Sequence, residues 1–431
     1  MLKKLKMLIK KAINYVIDYK SIIFNIVFRG GAALSGVLMT LMVTRVFGSS
    51  NSGLFFLCLS IITFVSVISR CGLDNTILRL SSIFYQRENF GSIKSLLDKS
   101  FKLIMFAQLV FVTSTILLLP YLSTEVFEIE GFGLTLSKLV FISPILSLII
   151  VQSVVFQSMN MTRYSILFQN FLLNSICIFL LFFLHDSFNS LLNIYIFATV
   201  TTFFVSFFFL KQRLGKDKRI NVPSKTIFES CLPQWLVSLV GQIQLWAGPI
   251  FIGIWHNSEL IAHFVASQRV TVVSLLILTA VNLMYSPKFA NLYNNGEFGA
   301  LEDIAKRCTR FSSLFALPIF IVTVTFSEKL MAGFGEQFGQ AWKVLVILAL
   351  GHLFNACTGP VNFLLAMTGF EKDLRNIAFL TMIVIISSSV FFIPQYGAVG
   401  AAIATTLSLI FNNLAALILV KRRLGFFTVA I

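Results

Sequence analysis

The chain has 431 residues, 57% of them hydrophobic and 12% charged, with 34 Lys and Arg against 18 Asp and Glu and a formal net charge of +16. Soluble domains carry about 25% charged residues, so this composition, with a mean hydropathy of +0.87, excludes a soluble globular protein and indicates a polytopic membrane protein. The positive charge sits in short segments between apolar stretches, which argues against a nucleic-acid binder. Each stretch runs about 20 residues without period-2 alternation, the pattern of membrane helices rather than barrel strands.

Residues 1–20 have no h-region or small-residue cleavage site, so no cleavable signal is expected. Leu5, Ile9, Ala12, Ile13 and Val16 line one helical face, and Lys3, Lys6, Lys10 and Lys11 the other. That pattern fits an interfacial helix on an anionic inner leaflet, and it equally fits a simple positive anchor. Twelve spans follow, near 21–46, 52–70, 102–120, 138–160, 164–184, 191–210, 230–255, 262–285, 311–327, 342–367, 376–393 and 398–420.

Alternate loops are basic. The N-terminal segment, the 71–101 loop (Arg79, Arg87, Lys94, Lys99), the 211–229 loop (Lys211, Arg213, Lys216, Lys218, Arg219, Lys225), the 286–310 loop and the tail hold most of the cations. The intervening loops hold Glu125, Glu128, Glu130, Asp186, Glu259, Glu328 and Glu336. By the positive-inside rule both termini are cytoplasmic, which requires an even number of spans. The 211–229 segment then links an N-terminal six-helix bundle over 21–210 to a C-terminal one over 230–420, followed by a tail over 421–431. The repeat is expected to be parallel. The first span of each half carries glycines, Gly30, Gly31 and Gly36 in one and Gly241, Gly248 and Pro249 in the other. They are read either as helix breaks at a transport site or as small-residue packing surfaces.

No Asp or Glu lies well inside a span, yet Arg29 and Arg269 do. An arginine at the bilayer centre costs about 2.5–3.5 kcal/mol on insertion scales, so it faces a partner or a watery cavity. With no internal carboxylate, the natural partner is a mobile anion. Arg29 lies about 12 Å in from the cytoplasmic end of span 1, and Arg269 about 10 Å in from the outer end of span 8. Arg45 and Arg70, at span ends, either extend this into a ladder of phosphate-binding guanidiniums or simply snorkel. Gln242, Gln244 and Gln268 are further candidates for substrate contact, as are Gln152, Asn282, Asn355 and Asn362; the competing reading is hydrogen bonding between helices. His352 is a lone intramembrane histidine. The six cysteines show no C-x-x-C spacing and none lies in an outer segment, so free thiols are expected.

The stretch from Arg45 to Ser82, RVFGSSNSGLFFLCLSIITFVSVISRCGLDNTILRLSS, has a Gly-containing outer turn, an apolar span, a Gly-Leu pair and a basic amphipathic segment. The C-terminal region reads LAMTGFEKDLRNIAFL and later IPQYGAVGAAIATTLSLIFNNLAALILVKRRLG, with Gly397 to Ala404 its most characteristic piece. Both resemble the polysaccharide flippases, the Wzx-like O-antigen exporters of the superfamily that also holds multidrug-and-toxin (MATE) extruders and lipid II flippases. The resemblance implies an all-α membrane protein of about 12 transmembrane helices, in two six-helix bundles forming a V around a cation-lined cavity. It further implies alternating access for an oligosaccharide on undecaprenyl pyrophosphate, such as an O-antigen repeat unit in lipopolysaccharide biosynthesis. The implied setting is the bacterial inner membrane, with a polymerase and a chain-length regulator as possible partners and no metal or cofactor. Arg29 and Arg269, matched by span, sit where similar flippases carry cavity arginines.

Two alternatives stand beside this reading. An ion-coupled multidrug exporter is expected to use an intramembrane Asp or Glu. A membrane glycosyltransferase or polymerase needs acidic or metal-binding groups in a sizeable outer loop. Here the outer loops are short, and Glu125, Glu128 and Glu130 form their one acidic cluster. The topology is checked by thiol labelling of Lys218→Cys in a cysteine-free background. Membrane-impermeant reagents are expected to react with it only after the cells are opened.

Overall fold

The computed structural model describes residues 2–215, 220 and 222–429, with side chains from Val27 onward apart from stretches of 224–238 and 273–287. Among these residues the chain is helical, with no strand. Eight helices are long and apolar enough to cross a membrane. Two of them hold two crossings each, divided by a glycine with non-helical backbone: Leu2–Ser69 turns at Gly48 and Glu371–Leu424 at Gly397. Spans 1 and 2 thus form the first pair, and spans 11 and 12 the last. Between them run span 3 (Phe90–Tyr121), span 4 (ending in Ser143–Ser158), span 5 (Thr162–Phe183), span 6 (Phe188–Leu214), span 7 (Ser224–Trp255), span 8 (Ser258–Asn294), span 9 (Phe298–Thr325) and span 10 (Trp342–Thr358). The twelve crossings expected from the sequence are present.

Several boundaries differ from the sequence reading for local reasons. The helix runs unbroken from Leu2 into span 1, so the lysine-rich segment is its continuation; the side chains of 1–20 lie outside the described residues. The 71–101 connection is an elbow at Gly72 (φ +74°), then the helix Leu73–Gln86, whose Leu73, Ile77 and Leu80 are buried. Span 10 stops at Thr358 rather than near 367, because Gly359 takes φ +75° ahead of Pro360. Of the two readings of the glycines in spans 1 and 7, breaks are not seen: no non-helical residue interrupts either helix at Gly30–Gly36 or at Gly248–Pro249. Gly31, Gly36 and Gly248 lie at helix contacts, whereas Gly30 and Gly241 face open space. A Cβ on Gly31 would lie 3.7 Å from the Phe171 ring, and one on Gly248 would overlap the Phe264 ring.

Lipid is as apolar as leucine, so spans are held together by close packing and hydrogen bonds rather than by a solvophobic drive. At the far face, opposite the termini, one buried cluster is shared by both halves. It joins Met39, Phe55 and Leu57 to Ile252, Phe264, Leu345 and Ala401. Gly53 lies so close to the Ser258 carbonyl that no Cβ would fit. Arg45 Nε donates to the Gly333 carbonyl at 2.7 Å, and Ser49 Oγ to Gln337 Oε1 at 2.8 Å. Toward the terminal face the described cores are separate: one around Leu96, Val155 and Phe168 in the first half, one around Leu301, Leu365 and Val420 in the second. The halves therefore diverge from a common far-face core. The start of span 7 stays with the first half, where Trp235 Nε1 donates to the Ile68 carbonyl at 3.2 Å and Gly72 abuts the Cys231 carbonyl.

The described part of the inter-half linker is tied to the first half. Lys94 Nζ donates to the Gly215 carbonyl at 2.9 Å, the Ile220 amide to the Gly91 carbonyl at 3.2 Å and Lys99 Nζ to the Val222 carbonyl at 2.5 Å. At the span 11–12 turn, Gly397 has φ +54°, ψ −127°, outside the regions open to L-residues. His256 Nε2 bonds the neighbouring Ile393 carbonyl at 2.8 Å. Backbone strain of this kind costs about 1–3 kcal/mol. Gly397→Ala, whose Cβ would also lie 2.7 Å from Leu260 Cδ1, is expected to lower membrane abundance on a blot, whereas Gly215→Ala in the linker should do so less.

Candidate functional site

Arg269 belongs to the second half but reaches the first. Its Nη1 lies 3.8 Å from the position of a Cβ on Gly36 in span 1, and Asn174 Nδ2 of span 5 lies 3.6 Å from the same point. Gly36 leaves room for the guanidinium. Asn174 Nδ2 donates to Ser35 Oγ at 3.3 Å, and Tyr195 of span 6, packed edge-on against Phe55, lies within electrostatic reach of Arg269. Arg269 thus reaches from span 8 to span 1 beside Gly36.

Arg29 lies seven residues before Gly36 on span 1, about 10 Å nearer the terminal face. It is half-buried, and its Nε is enclosed without a hydrogen-bond partner. No described carboxylate pairs with Arg29 or Arg269. Beside span 1 at Arg29's depth, span 5 widens into a π-helix over Leu167–Phe171. There Gln169 and Asn170 are exposed in the middle of an apolar span. Two guanidiniums at successive depths, with amides and hydroxyls between them, can hold an anion with polar substituents and pass it along the cleft.

The structure gives other sequence candidates different surroundings. Arg70 is buried and paired: its Nε meets Asp74 Oδ1 at 2.9 Å, and its Nη1 donates to Ser66 Oγ at 2.6 Å and the Ser66 carbonyl at 3.1 Å. Ser66 joins Ser147, which accepts from Gln108 Nε2, so Arg70 anchors a polar clamp across spans 2, 3 and 4. Arg45 is in the far-face contact described above. Gln242 Oε1 accepts from Trp246 Nε1 at 3.1 Å, Gln268 Nε2 lies 3.5 Å from the Leu245 carbonyl, and Gln244 Nε2 is buried without a partner. Gln152 accepts from Ser206, and Asn362 donates to Asn412, both between helices. The Asn282 side chain lies outside the described residues, and His352 Nδ1 is enclosed without a partner. All six cysteines are unpaired.

Asn170, Asn174 and Gln169 carried a legible signal, polar amides inside an apolar run, yet they were not among the sequence candidates. Tyr195 carried none, since one tyrosine among span 6 phenylalanines reads as packing.

The fold is similar to that of solved membrane transporters. The chain superposes on the lipid II flippase MurJ in an inward closed conformation with a TM-score of 0.73 at 16% identity, covering 93% of this chain and 87% of that one. An inward-facing MATE multidrug resistance transporter of the MOP superfamily gives 0.71 at 13% identity, covering 91% and 94%. No protein-family model matches the chain. Among curated proteins it is 25% identical over 187 residues to "Probable flippase AglR" of Haloferax volcanii, covering 42% of this chain and 39% of that one. It is 22% identical over 185 residues to the capsular polysaccharide biosynthesis protein CapF of Staphylococcus aureus, covering 43% and 47%. The match thus spans less than half the length of these relatives. Their names agree with the polysaccharide flippase resemblance read from the sequence.

The Gly36–Arg269 contact makes a graded prediction. Gly36→Ala, whose Cβ would be at ordinary contact distance, should complement a null strain nearly fully. Gly36→Leu should displace the guanidinium and abolish complementation at unchanged membrane abundance.

Proposed function

We infer that the protein is a flippase that moves a lipid-linked oligosaccharide across the membrane by alternating access, with undecaprenyl pyrophosphate as the carrier. The observation that carries this reading is Arg269. A guanidinium without a described carboxylate partner crosses from one half into a polar recess of the other, in a fold whose halves share a core at one face and diverge toward the other. A diphosphate supplies the missing negative charge, Arg29 and Arg269 receive it in turn, and the amides of span 5 meet sugar hydroxyls. Relatives named for flipping and for capsular polysaccharide biosynthesis support the substrate class.

The remaining assignments follow the same reading. The membrane is the bacterial cytoplasmic membrane, with both termini inside, as the loop charges favour. The translocated unit is an O-antigen or similar repeat, delivered to a polymerase and chain-length regulator. The protein acts by movement rather than bond chemistry. In this reading the two halves open and close about the far-face contacts of Arg45 and Gly53. Multidrug export is disfavoured because guanidiniums in the cleft repel cationic drugs.

Arg29→Ala and Arg269→Ala should reach the membrane normally and fail to restore surface glycan in a flippase-null strain. Each removes a charge-assisted contact worth roughly 1.5–3 kcal/mol, at least about a tenfold weakening of anion capture. Lys should substitute only in part at either position, because an ammonium lacks the planar fork that matches two phosphate oxygens. Full glycan from the double alanine variant would make both arginines structural and end the reading.

A further inference from the structure

Span 5 is apolar, yet Gln169 and Asn170 are exposed within it, and neither amide has a described hydrogen-bond partner. The backbone explains their placement. The Leu172 amide donates to the Leu167 carbonyl, an i→i+5 bond that puts one extra residue into the turn Leu167–Phe171. In an α-helix, residues three apart share a face, so Phe168 and Phe171 would point the same way. Here they do not. Phe168 is buried against Phe156, Tyr164 and Phe209, with ring centroids 5.4, 6.3 and 5.9 Å away, whereas Phe171 meets span 1 at Gly31. The π-turn opens the angle between the two rings, and Gln169 and Asn170 occupy the gap. An α-turn would instead set Gln169 directly below Leu173, which is buried in the core shared by the halves.

Two sides of span 5 can be told apart. One faces lipid, where Phe171, Ser175, Ile178 and Phe182 follow one another at helical spacing. The other meets span 1 at Gly36 through Asn174, with Arg269 against the same glycine. Asn170 lies one turn before Asn174, on this second side. Amides turned to hydrocarbon would have no partner at all, which is costly; on the Arg269 side they are solvated. Single π-turns inside α-helices are frequent at functional sites.

The chemistry of the pair selects a ligand class. A side-chain amide carries two N–H donors and a carbonyl acceptor. A sugar hydroxyl both donates and accepts, so one amide satisfies two neighbouring hydroxyls in both senses. A carboxylate only accepts and leaves the amide carbonyl unused. We propose that Gln169 and Asn170 are specificity-determining residues that recognise a neutral sugar ring of the lipid-linked glycan, and that the π-turn is the device that aims them at it. This deepens the flippase reading and rests on it for the presence of a sugar. Arg29 and Arg269 then serve every diphosphate alike, and the choice among glycans is made at the π-turn.

Binding is measured on the full-length protein in phosphatidylglycerol nanodiscs. The probes are short-chain polyprenyl diphosphates, either bare, or carrying a neutral hexose in the gluco, galacto or manno configuration, or carrying a hexuronic acid. The wild type is expected to bind at least one hexose lipid more tightly than the bare and hexuronate lipids. Gln169→Leu and Asn170→Leu, both apolar in an apolar span, should each lower the hexose-to-bare affinity ratio about fivefold, the net worth of one hydrogen bond. The double variant should lower it further, and alanine at both positions, which adds no bulk, should act in the same direction. In a cysteine-free background Gln169→Cys and Asn170→Cys should react with a water-soluble thiosulfonate, and Phe182→Cys should not. An unchanged ratio in the double variants, tightest binding of the hexuronate lipid, or thiol reaction at 182 alone overturns the proposal. Failure of every lipid to bind the wild type removes the flippase reading together with the proposal. Binding of all the lipids with one affinity removes the proposal alone.

Discussion

A guanidinium in a medium that cannot solvate it constrains much of this structure. Arg269 lies within a span and has no described carboxylate partner, so its surroundings must be polar and roomy. Span 1 supplies room with Gly36. Span 5 supplies Asn174, itself oriented by Ser35, and span 6 supplies Tyr195. Spans 1 and 5 of the first half thus meet near one side chain of the second. No described carboxylate neutralises that charge.

Arg70 shows the alternative treatment of the same residue type. It is paired with Asp74 one turn away and bonded to Ser66, and the clamp continues through Ser147 and Gln108 across three helices. An arginine neutralised in this way stiffens the first half and has little left to offer a substrate. Interhelical hydrogen bonds in membranes are worth only about 0.6 kcal/mol each, so such a clamp acts by joining several of them with an ion pair. Arg70 and Arg269 thus differ in their partners more than in residue type: one has a described carboxylate and the other has none.

The halves meet where small residues allow it. Gly53 against Ser258 and Gly253 against Leu57 and Phe127 bring the far-face ends of the bundles into van der Waals contact, and one core forms there. Nearer the termini the described cores are separate. The described part of the linker is strapped to the first half as far as Val222.

The sequence by itself determined the membrane class, the number of crossings, the alternation of basic loops and the two interior arginines. All of these are local properties: hydropathy over about 20 residues, charge at span ends, and a costly residue type where it does not belong. It also contained the exposed amides Gln169 and Asn170, although a π-helix that turns them outward has no signature in composition. Other features were not legible because they are relations between helices far apart in the chain. Only the tertiary structure decided that Arg70 is engaged by Asp74 and Ser66, that Arg45 joins the halves, and that spans 1 and 7 run unbroken through their glycines. It alone brought Gly36, Asn174, Tyr195 and Arg269 together from four spans. In a bilayer the side chains that meet are chosen by packing between helices, and a hydropathy pattern records only that each helix is buried, not which neighbour it faces.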